Sequence, residues 1–226
     1  MYPITNAQFV RFGEDGGYST SWQGCWTEAG LKWKADRTGP NKLGGVFDLP
    51  NHPVVGVSWY EAVAFCNWLS EKLGIIVTLP TEAQWERAAR GIDGRRYPWG
   101  KKYFWDRKTT PDQANYSMSK VNQTSAVGMF PKGISPCGAY DMSGNVWEWC
   151  LTRWRDNSAG PENNDLEGTE LRVLRGGAFD YSASFMRCEV RLGYDPSDYD
   201  KDFGFRVVAP PITEDPGLNN TLAPRR

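Results

Sequence analysis

The stretch RVLRGGAFDYSASFMRCEVRLGYDPSDYDKDFGFRVV, residues 172–208, decides the fold of this chain. Its apolar runs at 172–174 and 203–208 have the β-branched and aromatic composition of buried strands. The 25 residues 178–202 between them show no period of 2 or 3.6 and are predicted to form an irregular loop. Because long loops on a rigid frame often carry function, we interpret this loop as the functional surface. An ordinary connection is the alternative.

The composition fits one large domain and excludes several classes of partner. With 226 residues and 40% hydrophobic content, the chain can bury a single core. The 26 basic and 27 acidic residues nearly cancel, so neither nucleic acid nor an anionic membrane is an expected partner. The apolar runs are too short to span a bilayer and no signal peptide follows Met1, which predicts a soluble, cytoplasmic protein.

The cysteine and histidine content restricts the chemistry. Five cysteines lie apart without CxxC spacing, and an odd number leaves at least one thiol unpaired, which favours a reducing compartment. The single histidine, His52, precedes a proline in a turn and is interpreted as structural. A histidine-based metal centre or a Ser-His or Cys-His couple is therefore not expected.

Capping-box patterns predict about three helices. Thr5, Ser58 and Thr81 are each followed three residues later by Gln or Glu, and the second helix is predicted over residues 58–73. Residues 18–51 are rich in Trp, Gly and Pro and are predicted to be ordered loop with small helical turns. The 11 tryptophans and 24 glycines indicate a loop-rich fold pinned by aromatic side chains.

Two carboxylates flank a glycine-bearing turn. Asp141 and Glu148, with the backbone carbonyls of the turn between them, form a plausible oxygen cage for a hard cation such as calcium. By spacing alone, a solvated turn explains the pattern equally well.

Seven motifs along the chain carry a family likeness. In this order they resemble formylglycine-generating-enzyme-like, or sulfatase-modifying-factor, domains over residues 2–208. The motifs are PITNAQF at 3–9, NHPVVGVSW at 51–59, LPTEAQWE at 79–86, YPWG at 97–100, GNVWEW at 144–149, RGG at 175–177 and GFR at 204–206.

The resemblance implies an α+β, C-type-lectin-like fold with short strands and little regular secondary structure. The domain is expected at residues 1–208, followed by an extended tail at 209–226. Relatives usually carry strands ahead of the first motif, so the resemblance leaves open a trimmed domain or a piece of a larger protein.

The resemblance also implies structural calcium. Carried over by position, the calcium ligands are the Asp141 and Glu148 side chains and the Gly144 and Val146 carbonyls. A second family site would use Asn115 and the carbonyls of Tyr116 and Val121. Ser119 stands where the family has a carboxylate, so that site is not expected.

The catalytic chemistry of the family is missing at its own positions. Catalytic members use two cysteines after Arg-Gly-Gly as a copper site and thiol relay that oxidises a sulfatase cysteine to formylglycine. Those positions here are Tyr181 and Met186, and Cys188 is out of register. Because soft Cu(I) prefers thiolates, a phenol and a thioether cannot replace the pair. The chain is therefore predicted not to be an enzyme, and copper is not expected.

A non-catalytic ligand-binding domain is the favoured function. One branch with this architecture comprises the variable proteins of diversity-generating retroelements, in which adenine-directed mutagenesis rewrites the segment between Arg-Gly-Gly and Gly-Phe-Arg, here residues 175–206. The loop is rich in the residues that such mutagenesis produces, although Met186, Glu189 and Lys201 cannot arise that way. A sulfatase-modifying oxidoreductase and a regulatory or structural appendage of a larger signalling protein are the alternatives.

The contact surface is predicted along the loop, for an unidentified protein or small-molecule ligand. Aromatic side chains there would anchor the ligand and carboxylates would set the polarity. Four arginines, at positions 175, 187, 191 and 206, are expected to hold the loop rather than touch ligand. The predicted ligand-binding residues are Phe179, Asp180, Tyr181, Ser182, Ser184, Phe185, Glu189, Val190, Leu192, Tyr194, Asp195 and Tyr199.

Overall fold

The computed structural model describes residues 1–100, 111–156 and 160–209, and it confirms the predicted α+β class. The described residues form four α-helices, short 3₁₀ turns and one four-stranded sheet. The helices are α1 (Asn6–Glu14), α2 (Glu28–Lys34), α3 (Trp59–Leu73) and α4 (Glu82–Arg90). The strands are β1 (Trp147–Arg153), β2 (Arg172–Arg175), β3 (Arg191–Tyr194) and β4 (Phe203–Phe205). The predicted tail lies outside the described residues from position 210 onward.

The three predicted helices begin where their capping boxes place them. Thr5, Ser58 and Thr81 each accept a backbone hydrogen bond from the third residue of the helix, whose own side chain bonds back to the cap. Gly74 ends α3 in the left-handed region at φ 66°, where a side chain would be strained. These short polar contacts satisfy N–H groups that a helix start leaves unpaired.

Residues 18–51 were predicted to be loop with small helical turns, but they contain the α-helix α2. It has only 7 residues, capped by Thr27, whose hydroxyl accepts a hydrogen bond from the Gly30 N–H. A helix this short is marginal by itself and depends on tertiary packing. Here Gly30 is buried and leaves room for the Tyr60 side chain of α3, within 3.4 Å of where a Cβ would lie.

The sheet has the order β3-β2-β1-β4, with β1 and β4 parallel and the other neighbours antiparallel. Glu148 in β1 therefore lies opposite Arg175 on one side and Gly204 on the other. The predicted strands at both ends of the loop are confirmed. The prediction of an unbroken irregular loop is wrong, because β3 lies inside it and pairs along β2.

Aromatic rings fill the core between the helices and the sheet. Phe65 of α3 stacks on Phe9 at 5.5 Å and meets Phe205 of β4 edge-on at 5.4 Å. Buried indoles bond to backbone: Trp59 Nε1 donates to the Cys150 carbonyl at 2.9 Å and Trp149 Nε1 to the Val57 carbonyl at 3.0 Å. The tryptophan side chains therefore hold loops against the core through these hydrogen bonds, as the composition indicated.

None of the helices in the described ranges has the length and apolar character required to cross a bilayer. All five cysteines are free thiols.

Candidate functional site

Helix α4 anchors the loop through two arginines. Arg175 donates to Glu82 at 3.1 Å, to Glu86 at 2.7 Å and to the Cys188 carbonyl at 2.6 Å. Arg191 in β3 donates to both oxygens of the same Glu82 carboxylate, at 2.7 and 2.9 Å. A planar guanidinium suits such forked contacts. For Arg175 and Arg191 these contacts agree with the prediction that arginines hold the loop, and the statement that they do not touch ligand stays a prediction.

A second clamp joins the two ends of the site. Arg206 donates to both Glu148 oxygens, at 2.5 and 2.7 Å, and Trp85 Nε1 donates to Glu148 at 2.7 Å. Arg206 also donates to the Tyr140 and Asp141 carbonyls, at 3.0 and 3.3 Å. Glu148 and Arg206 are both almost fully buried. The pair fixes the turn before β1 against the end of β4.

The predicted calcium ligands do not form a free oxygen cage. The Glu148 carboxylate already accepts three hydrogen bonds, two of them from a cation that would repel calcium. The Asp141 carboxylate accepts the Gly128 N–H at 2.6 Å, and the Gly144 carbonyl accepts the Val146 N–H at 3.0 Å. Burial raises the pKa of Asp141 to about 6. The calcium prediction therefore rests on the resemblance alone, and the side chains favour an internal ion pair.

The Ser119 hydroxyl lies at the second family cation site, where the family has a carboxylate. Ser119 Oγ lies 3.0 Å from Asn115 Oδ1 and 2.6 Å from the Tyr116 carbonyl. Asn115 Nδ2 donates to the Gln123 carbonyl at 2.8 Å. A hydroxyl has one proton, so Ser119 can donate to only one of these two oxygens, and the absence of a second cation site stays a prediction.

The positions of the family's catalytic cysteines lie side by side. Tyr181 and Met186 belong to one small apolar cluster with Tyr97 and Tyr116. The Tyr181 ring meets the Trp147 ring edge-on at 5.3 Å, and burial raises its phenol pKa to about 12. Burial likewise raises the pKa of the nearby Cys188 thiol to about 12, so the thiolate that copper or a thiol relay requires is disfavoured.

The predicted contact residues divide by exposure. Five are half-buried: Tyr181, Val190, Leu192, Tyr194 and Asp195. Six are exposed, and we call them the loop surface: Asp180, Ser182, Ser184, Phe185, Glu189 and Tyr199.

Phe179 is wrongly predicted as a contact residue. It is 1% exposed, its N–H donates to the Asn145 carbonyl, and its ring packs 6.0 Å from that of Phe47. Tyr194 also faces inward in part, with its ring 4.8 Å from Phe203. The first residues after Arg-Gly-Gly therefore return to the core before the chain emerges at Asp180.

Three residues beside the loop surface were not among the predicted ligand-binding residues. Asp202 is 4% exposed, and its pKa is raised to about 7, first by burial and then by Asp200 and Asp180. Lys201 pairs with Asp180 at 3.0 Å. Trp147 is fully buried, and its Nε1–H has no hydrogen-bond partner among the described residues. The sequence signal is a charged run, Asp-Lys-Asp at 200–202, directly before a buried strand.

The sequence matches a known family. The description "Sulfatase-modifying factor enzyme 1-like domain" fits residues 1–210, and the chain belongs to this family. The formylglycine-generating enzyme of Thermomonospora curvata is 35% identical over 205 residues, covering 81% of this chain and 63% of that enzyme. The serine/threonine-protein kinase pkn1 of Chlamydia caviae is 33% identical over 218 residues, covering 92% of this chain and 32% of the kinase.

Solved structures show the same fold. PvdO from Pseudomonas aeruginosa aligns with a TM-score of 0.70 at 26% identity, covering 92% of this chain and 78% of that one. Treponema denticola variable protein 1 aligns with a TM-score of 0.60 at 26% identity, covering 82% and 79%. The chain spans 63% and 32% of the two curated relatives given above, so their whole activities do not transfer with the fold.

Proposed function

We propose that this chain is a non-enzymatic ligand-binding protein that presents the loop surface on a sulfatase-modifying-factor frame. One observation carries the proposal: the frame is intact, while the two positions of the family's thiol pair hold Tyr181 and Met186. The anchors on α4 and the Glu148–Arg206 clamp hold the loop rigidly from behind. A surface held in this way loses little entropy when it binds.

The occupant of the surface is a protein or a small molecule, and the setting is a reducing compartment such as the cytoplasm. Exposed side chains of the loop surface include Phe185, at 36%, and Tyr199, at 43%, next to hydroxyls and carboxylates. Aromatic anchors surrounded by adaptable polar groups are typical of paratopes. The likeness to a variable protein supports membership of a retroelement-diversified branch.

A peptide selection tests the binding function. A random dodecapeptide phage library is selected on the immobilised protein, and the enriched peptides are measured against Tyr199→Ala, with Tyr2→Ala as control. Tyr2 is a matched control because it is 47% exposed and packs instead on Tyr140. We expect Tyr199→Ala or Phe185→Ala to weaken binding at least tenfold, which is about 1.4 kcal/mol of binding free energy. Tyr2→Ala should leave the Kd unchanged. Equal losses at both tyrosines would contradict a loop-based surface.

Sequencing tests the retroelement origin. In sibling isolates, substitutions are expected to concentrate at the loop surface and to leave Arg175, Glu148 and Arg206 unchanged. A near-duplicate of the coding segment for 175–206 is expected beside a reverse transcriptase. Identical loop sequences in all isolates and the absence of a duplicate would reject the retroelement origin. The proposed binding function would still stand.

The relationship to a formylglycine-generating enzyme makes that activity the competing function. It requires two accessible thiolates, whereas Cys188 is buried with a raised thiol pKa. Copper titration with a cysteine-containing peptide, read by mass spectrometry, is expected to leave the thiol unchanged. Aldehyde formation would overturn the proposed function.

A further inference from the structure

Asp202 is a buried carboxylate without a cation of its own. Asp202 directly precedes β4. Its backbone carbonyl accepts the backbone N–H of Trp147 at 2.8 Å, which fixes Asp202 against the start of β1. The buried glutamates have close partners: Glu148 pairs with Arg206, and Glu82 pairs with Arg175 and Arg191. Glu61 has no ion pair within the described residues, but it accepts hydrogen bonds from the Tyr18 and Ser58 hydroxyls. No ion pair to Asp202 occurs within residues 1–100, 111–156 and 160–209. A buried carboxylate without a partner is unfavourable unless something else supplies one.

The nearest cation is committed elsewhere. The Lys201 ammonium pairs with Asp180 at 3.0 Å and lies 5.4 Å from the centre of the Phe179 ring. In the part of the chain that the structure describes, Lys201 is the cation assigned to Asp180, Asp200 and Asp202. When all three are ionised, two formal negative charges stay uncompensated at this point of the loop (three carboxylates against one ammonium).

An unused donor points to the same place. The Trp147 indole lies under the Tyr181 and Phe185 rings, edge-on at 5.3 and 6.3 Å. The Trp147 indole N–H opposes the rise in the Tyr181 pKa that burial causes, and it has no hydrogen-bond partner among the described residues. A buried N–H left unpaired in this way costs free energy that an acceptor oxygen on a ligand would recover.

We propose that these groups form a subsite for a lysine side chain of a peptide or protein ligand. The subsite consists of Asp180, Asp202, Trp147 and Tyr181, and it deepens the proposed function, on which it rests. The lysine ammonium of the ligand pairs with the Asp202 carboxylate. The ligand's adjacent backbone carbonyl accepts the Trp147 indole N–H, and the Tyr181 ring covers the lysine methylenes.

Binding of an ammonium is coupled to proton release. A cation beside Asp202 favours its ionised form, so binding is expected to strengthen as pH rises from about 6 to about 8. The charged groups that face Asp202 are Asp180, Asp200 and Lys201. The Tyr181 phenol stays neutral in this range, since its pKa is raised to about 12.

The experiment uses peptides from the selection described above, carried out at pH 8. Enriched peptides are resynthesised with each lysine either free or acetylated, and binding is measured by calorimetry at pH 6 and pH 8. The variants are Asp202→Asn and, as control, Asp198→Asn, an exposed loop carboxylate outside the subsite. Thermal melts confirm that both variants are folded.

We expect enriched peptides to contain lysine, and acetylation or Asp202→Asn to weaken Kd about tenfold or more. Asp202→Asn should also remove the pH dependence, and Asp198→Asn should change neither. Peptides that need Tyr199 but tolerate lysine acetylation would overturn the subsite and leave the proposed function standing. Failure to enrich any loop-dependent peptide would count against both. If Asp202→Asn does not fold, acetylation and the wild-type pH dependence still decide the question.

Discussion

Two buried carboxylates, one in β1 and one directly before β4, have opposite surroundings. Glu148 in β1 accepts two charge-assisted bonds from Arg206 and a third from Trp85. Asp202, at the entry to parallel strand β4, has aspartates as its closest charged neighbours and a lysine that pairs elsewhere. Glu148 is therefore neutralised within the frame, whereas Asp202 has no counter-ion of its own among the described residues. Buried groups left incomplete in this way are more often found at binding sites than in the structural core.

The same contrast separates the two ends of the loop. Where it leaves β2, Arg175 is fully buried and neutralised by Glu82 and Glu86. Where the loop passes Asp180, the Asp180 carboxylate pairs with Lys201 alone, and both side chains are half exposed. A surface can vary only if the residues that hold it do not, so the ion pairs of Arg175 with Glu82 and Glu86 are a condition for a variable surface.

The largest effect is expected from breaking the Glu148 clamp. Glu148→Gln leaves the buried Arg206 guanidinium without its counter-charge, which should lower the free energy of unfolding by about 3–5 kcal/mol. Urea denaturation measures it. Glu14→Gln is the control, because the exposed Arg11–Glu14 pair should contribute at most about 1 kcal/mol. Similar small losses for both variants would show that Glu148 is not a structural anchor.

The α4 anchor should come next. Glu82→Gln weakens contacts to both Arg175 and Arg191, and we expect a loss of about 2–3 kcal/mol in the same measurement. Glu86→Gln is its matched control on the same helix, since Glu86 contacts Arg175 alone at this site and is partly exposed. Its loss should stay near 1 kcal/mol. A larger loss of unfolding free energy for Glu86→Gln than for Glu82→Gln would show that Glu86 is the main anchor.

Asp202 should make stability depend on pH in the opposite sense to an ordinary ion pair. Its pKa is raised from 3.8 to about 7, so its contribution is complete below pH 4 and is lost as pH rises through 7. Between pH 5 and pH 8, wild type should therefore lose on the order of 2 kcal/mol relative to Asp202→Asn. Urea denaturation at both pH values measures this. Asp141 titrates nearby but is common to both proteins, so parallel pH profiles would refute the assignment to Asp202.

The smallest effect is expected from calcium removal. Because Arg206 already supplies positive charge to Glu148, EDTA should change the melting temperature by no more than about 1 °C relative to excess calcium. Differential scanning fluorimetry measures it, with magnesium as the control ion. A calcium-specific rise of several degrees would support the cage predicted from the resemblance at Asp141, Gly144, Val146 and Glu148.

Local rules predicted the parts of the structure that depend on adjacent residues. The three capping boxes located the starts of three helices, because a cap and its partner lie within one turn. Helix α2 was not predicted as a helix, because its 7 residues depend on packing against α3 rather than on intrinsic propensity. Strand β3 was missed since its half-buried residues show no alternation and it is specified by pairing with β2.

The sequence alone determined the family, the α+β class and the loss of the thiol pair, since these depend on which residue stands at a numbered position. Only the tertiary structure decided that Phe179 turns inward, that Arg206 meets Glu148, and that Asp202 is buried without an ion pair among the described residues. Burial and charge pairing are set by residues that lie 50 or more positions apart in the chain, such as Glu148 and Arg206. No local pattern encodes them, because the free energy of a charge depends on everything that surrounds it in three dimensions.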